Sequence, residues 1–101
     1  MTQLVLDNNR IGQVGAKLLA DGIRDNETMT DLRIANCQIA EEGAITIAAV
    51  LHNKKNLLVL DVTSNKIMAK GCIDICKAIQ HHTTLREIHM SNNFIGPDGA
   101  R

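Results

Sequence analysis

The chain has 101 residues, enough for one small domain, and its 11 basic and 11 acidic side chains give a formal net charge of zero. That balance, with no basic run and Phe94 as the single aromatic residue, excludes a strong electrostatic hold on nucleic acid or an anionic membrane. No apolar stretch approaches the roughly 20 residues of a membrane span, and no secretory leader is expected, because Thr2 and Gln3 run straight into a strand pattern. Three cysteines form no even framework, which points to a reducing, cytoplasmic compartment.

A strict 28-residue beat then runs through the sequence. The first unit, 1–28, places Met1, Leu4, Leu6, Asn9 and Ile11 ahead of Gly15. Its alternating apolar residues predict a strand over Gln3–Leu6. Ala16, Leu19, Ala20 and Ile23 then mark one face of a helix that follows the glycine. The second unit, 29–56, repeats the landmarks as Met29, Leu32, Ile34, Cys37, Ile39 and Gly43. It predicts a strand over Asp31–Ile34 and a helix buried through Ala44, Ile47, Ala48 and Leu51. Glu41 and Glu42 suit the positive end of that helix. The third unit, 57–84, reads Leu57, Leu60, Val62, Asn65, Ile67 and Gly71, with a strand over Val59–Val62. Its helix face is Cys72, Ile75, Cys76 and Ile79. A partial unit, 85–101, reads Leu85, Ile88, Met90, Asn93, Ile95 and Gly99, with a strand over Glu87–Met90 and Pro97 at a helix start.

Strand, crossover helix and strand in one repeated sense require a parallel sheet. The template L-x-x-L-x-L-x-x-N/C-x-L resembles the leucine-rich repeat. The expected architecture is α/β: a right-handed solenoid in one domain, strands on the concave side and helices on the convex side. Ile11-Gly12 with Gly15-Ala16 and Leu19-Ala20, echoed by Ile95-Gly96-Pro97-Asp98-Gly99-Ala100, is more specific. So is the link His81-His82-Thr83-Thr84-Leu85-Arg86-Glu87-Ile88. Together they resemble the ribonuclease-inhibitor-like subfamily, which includes Ran GTPase-activating protein and the sensing arms of nucleotide-binding oligomerisation receptors. The resemblance implies a cytosolic horseshoe that binds proteins on its concave face. The chain departs from ribonuclease inhibitor in having no Trp or Tyr on that face.

Asn9, Cys37, Asn65 and Asn93 share one column and are expected to satisfy backbone groups at the turn. Gly15, Gly43, Gly71 and Gly99 are expected to admit a close approach of helix backbone. Cys72 and Cys76, with His81 and His82 beyond them, lack zinc spacing and stand where other units hold alanine, so they read as small buried hydrophobes. No metal site, cofactor, nucleophile or acid–base pair is expected.

The outward strand positions are the candidates for binding. They are Gln3, Val5, Asp7 and Asn8; Asp31, Arg33, Ala35 and Asn36; Val59, Asp61, Thr63 and Ser64; Glu87, His89, Ser91 and Asn92. Within them Arg33, Asp61, Glu87, His89, Asp31 and Val59 are the partner-binding set, with Arg33 beside Asp61 across neighbouring strands. Lys54, Lys55, Lys66 and Lys70 suggest a local positive rim. Neither end carries a polar cap, so the chain is expected to be a segment of a longer array; the alternative is self-association through uncapped ends, although simple head-to-tail stacking would omit most of one helix. The reading is a non-catalytic protein-interaction module, a segment of a longer cytosolic scaffold or sensor. The alternatives are a spacer in a cytoskeletal or ciliary complex and, by resemblance, a GTPase regulator.

Overall fold

The computed structural model describes residues 2–80, 82 and 84–93. Strands and helices alternate as β1 Gln3–Val5, α1 Gly12–Ile23, β2 Asp31–Arg33, α2 Ala40–Leu51, β3 Val59–Asp61, α3 Met68–Ile79 and β4 Glu87–His89. The four strands form one sheet in chain order, and every pairing is parallel. Gln3 pairs with Asp31, Asp31 with Val59 and Val59 with Glu87, so each step across the sheet advances one whole unit. α1 packs on α2 and α2 on α3, while α1 does not reach α3. Each unit therefore touches only its neighbours, the arrangement of a solenoid.

The core lies between the two layers. Leu32, Ile34, Leu60 and Val62 reach it from the sheet side, and Ile23, Ile47, Leu51 and Ile75 from the helices. Ile39 and Ile67, just before the helices, complete it. Each strand is one residue shorter than the sequence predicts. Leu6, Ile34 and Val62 still bury inward or partly inward, and their N–H groups still bond Arg33, Asp61 and His89 carbonyls at 2.8, 2.8 and 2.9 Å. Two residues later the chain leaves the sheet through a left-handed turn at Asn8, Asn36, Ser64 and Asn92.

The helices begin three residues earlier than expected, so Gly15, Gly43 and Gly71 sit inside their first turns. The starting residues Gly12, Ala40 and Met68 have φ of +68, +64 and +61°. Their N–H groups are held by the carbonyls of Cys37, Asn65 and Asn93 in the following unit. The glycines serve the helix seams. A Cβ on Gly43 would lie 3.0 Å from the Ala16 Cβ, and one on Gly71 would lie 3.0 Å from the Ala44 Cβ. Gly99, Ile95 and Pro97 lie outside the described residues.

Asparagines tie the turns together. Asn65 Nδ2 donates to Ile34 O and Val62 O at 2.7 and 2.9 Å, and its Oδ1 accepts the Cys37 N–H at 2.7 Å. Asn93 repeats this one unit on, donating to Val62 O and Met90 O and accepting from Asn65 N–H. Asn9 makes the same local bonds, to Leu6 O at 2.8 Å and Asp7 O at 3.3 Å, and is exposed because no described residue covers its outer side. Cys37 fills the column with a fully buried thiol that donates to Leu6 O at 3.0 Å.

Candidate functional site

The sheet register sets two outward rows. Gln3, Asp31, Val59 and Glu87 form one, and Val5, Arg33, Asp61 and His89 form the other. Arg33 and Asp61 stand side by side on neighbouring strands, as expected, but no ion pair joins them. Arg33 Nη2 instead lies 3.6 Å from Asp31 Oδ2, along its own strand. Residues two apart on a strand share a face, so an acid and a base there compete directly with the neighbouring strand. Asp61 is already engaged, its Oδ1 accepting the Thr63 N–H at 3.0 Å. His89 Nε2 and Glu87 Oε1 repeat the along-strand geometry at 3.7 Å, a charged pair only when the imidazole is protonated. Such part-exposed pairs contribute about 0–1 kcal/mol each.

Val59 departs from its expected role. It is only 7% exposed, in an inner strand between Asp31 and Glu87, and so forms the floor of the face rather than a contact that projects from it. Val5 on the first strand is exposed. Below these rows the turn side chains are tied down. Asp7 Oδ1 accepts the Ala35 N–H at 2.8 Å, and Asn36 Nδ2 donates to Asn8 Oδ1 at 3.0 Å. The face thus carries the carboxylates of Asp7, Asp31, Asp61 and Glu87 against the guanidinium of Arg33, and is acidic at neutral pH.

Lys54 is not part of a positive rim. Only 3% exposed, it directs Nζ to the Arg24 and Asn26 carbonyls at 2.9 and 2.6 Å. Arg24 caps the C-terminal end of α1, where carbonyls lack helical partners, so an ammonium there is doubly favoured. Burial pushes its pKa down, while Asp25 and Glu27 pull it back up. The signal for this role lay in the beat: Asn26, Lys54 and His82 share one column. Lys55, Lys66 and Lys70 are exposed, and Lys70 pairs with Asp74 at 3.7 Å.

The cysteine column also differs from expectation on α3. Ala16, Ala20, Ala44 and Ala48 are buried, but Cys72 is only partly covered and Cys76 is exposed. Those alanines are covered by the next helix, and no described helix follows α3. Burial, then the nearby Cys76, pushes the Cys72 thiol up. Among the described residues no three His, Cys, Asp or Glu side chains converge as metal ligands. No helix among them is long and apolar enough to cross a membrane.

The comparisons agree with this architecture. No curated protein matches the chain by sequence. A solved structure titled Leiomodin-1 Actin-Binding Site 2 (ABS2) is similar, with a TM-score of 0.85 and 24% identity over 98% of this chain. The chain spans 59% of the length of that structure, and the likeness at this identity is one of fold. The family model described as Leucine Rich repeat matches residues 1–20, 25–48, 53–76 and 81–101, a segment for each of the four strands seen here. With one parallel strand per matched segment and a polar or thiol side chain closing each turn, the chain belongs to the leucine-rich repeat family.

Proposed function

We propose that the chain is a non-catalytic protein-interaction module within a cytosolic scaffold or sensor, and that it binds its partner on the outward strand face. The observation that carries this reading is the pair of in-register rows on a sheet anchored from behind by a continuous core. Arg33, Asp61, Glu87 and His89, with Asp31, supply the contacts, and Val59 supplies an apolar floor. The excess of carboxylates favours a protein surface bearing Lys and Arg and disfavours a phosphate backbone. Rigid presentation implies little change of shape on binding. The paired motifs Ile11-Gly12, Gly15-Ala16 and Leu19-Ala20 support a place in the ribonuclease-inhibitor-like subfamily.

The test is affinity capture from cytosolic extract with the parent chain and with an Arg33→Glu/Asp61→Lys/Glu87→Lys variant shown by circular dichroism to be folded. A protein retained only by the parent supports the reading, and equal capture by both removes it. A second reading, an assembly segment in a cytoskeletal complex, is supported by the structural likeness to an actin-binding site of leiomodin-1. Co-sedimentation with filamentous actin decides it. GTPase regulation rests on the subfamily resemblance alone, and an unchanged GTP turnover in the presence of the chain would remove it.

A further inference from the structure

The outward strand rows hold their carboxylates in two different states. Asp31 has a permanent cation beside it, the Arg33 guanidinium at 3.6 Å. Asp61 has no ion-pair partner among the described residues. Its Oδ1 accepts the Thr63 N–H, and Arg33, its neighbour on β2, has turned to Asp31. Glu87 has only His89, whose Nε2 lies 3.7 Å from Glu87 Oε1 and carries a charge only when protonated. Asp61 and His89 are direct partners in the register of β3 and β4. His89 thus stands beside two carboxylates, Glu87 along its own strand and Asp61 across from it, and neither is matched by a fixed positive charge.

No other charged group faces this trio. Val59, beside Glu87 on β3, is apolar, and the next outward positions, Thr63 and Ser91, are neutral. Arg86 precedes Glu87 by one residue and so alternates to the other side of the strand. α3 lies behind the sheet, across the core. The Glu87 and His89 side chains are about half exposed, so both solvent protons and a partner reach them. A unit following β4 would bond its edge and leave this outward row uncovered, because residues two apart on a strand keep to one face of the sheet. Histidine is the side chain whose charge changes between about pH 5 and 8, whereas carboxyl groups ordinarily titrate near 4.

We propose that a proton on His89 and a basic side chain of the partner compete for the carboxylates of Glu87 and Asp61, so that the outward strand face releases its partner as the pH falls. The inference rests on the reading of that face as a site for a surface bearing Lys and Arg. Above the histidine range His89 is neutral and both carboxylates are open to a lysine or arginine. Below it the imidazolium neutralises Glu87, screens Asp61 and repels the incoming cation. By linkage the effect is reciprocal: a bound lysine or arginine drives the proton off His89. Arg33 and Asp31 do not take part, since their pair keeps its charges throughout this range.

Fluorescein-labelled oligolysine, followed by fluorescence anisotropy at low salt, is the probe, with folding of each variant checked by circular dichroism. The parent chain should bind it roughly fivefold more weakly at about pH 5.5 than at about pH 7.5. His89→Gln should bind at both values as the parent does at the higher one, and His89→Lys should bind weakly at both. The remaining histidines stay in place in these variants, so a pH effect that survives His89→Gln belongs elsewhere and overturns the proposal. At about pH 6, saturating oligolysine should move the His89 imidazole signals in NMR spectra toward their neutral positions. Signals that do not move, or parent binding that is equal at both pH values, also overturn it. An Asp61→Asn/Glu87→Gln variant separates this failure from failure of the underlying reading. Binding that the double variant loses but that is independent of pH removes the competition alone. A parent chain that binds no oligolysine at any pH, or a double variant that binds it as well as the parent, removes the basic-partner reading and the competition with it.

Discussion

Cys37 shows how one atom alters a repeat. Its thiol reproduces the donor role of Asn65, giving a hydrogen to the carbonyl of Leu6. Sulfur is a poor acceptor, however, and it faces the Asn9 N–H, where Asn65 and Asn93 each offer an amide oxygen to the unit before. Cys37→Asn is therefore expected to stabilise the fold by about 1 kcal/mol, read as a higher urea midpoint with an unchanged slope. Burial pushes the Cys37 thiol above its ordinary value near 9.0, against the lowering pull of the Asn9 N–H. The folded state then holds a proton that the unfolded chain releases. Its contribution is full below that ordinary value and is lost as pH rises through the raised one. Cys37→Asn should accordingly flatten the alkaline fall in stability. Lys54 gives a second residue-scale test. Lys54→Met leaves the Arg24 and Asn26 carbonyls without their ammonium and should cost about 1–3 kcal/mol by thermal unfolding. One unit on, both ring nitrogens of His82 are buried without a hydrogen bond. His82→Lys should restore the longer reach and raise the melting temperature.

At the scale of the element, the glycines and the left-handed helix starts make opposite demands. Helix propensity alone favours Gly43→Ala by nearly 1 kcal/mol. The added methyl would meet Ile39 Cγ2 at 2.7 Å and Ala16 Cβ at 3.0 Å, so α1 and α2 must part. The expected outcome is a net loss of about 1–3 kcal/mol in chemical denaturation. Met68 presents the converse case. It starts α3 at a φ of +61° and is 41% exposed, so its side chain contributes little to the core. Met68→Gly should gain about 1 kcal/mol by removing the Cβ penalty, visible as a melting point raised by several degrees. Strand and helix identities were legible from the alternation of Leu4 and Leu6 and the spacing of Ala44, Ile47, Ala48 and Leu51. The early helix starts were not, since a left-handed Ala40 or Met68 depends on a carbonyl supplied by the following unit.

At the scale of the molecule, stability follows neighbours. Leu60 is fully buried between units on either side, whereas Leu4 on the first strand is only partly covered. Leu60→Ala should cost about 2–5 kcal/mol, a large share of the roughly 5–15 kcal/mol typical of a small protein, and Leu4→Ala clearly less. Urea titrations of the two variants would show this as unequal shifts in midpoint. Equal shifts would contradict the nearest-neighbour picture.

The 28-residue period and the alternation within each unit were enough to determine which side chains face inward, the parallel order of the strands and the register of the outward rows. These features are local and repeat identically, so each unit constrains the next. Tertiary structure decided the rest: that Arg33 turns to Asp31, that Val59 becomes a floor, that Lys54 closes the end of α1 and that Cys76 stays exposed. Each of these depends on how far a side chain reaches between units and on whether a neighbour is there to meet it. A repeat template specifies position, but it leaves that competition among partners to the packed chain.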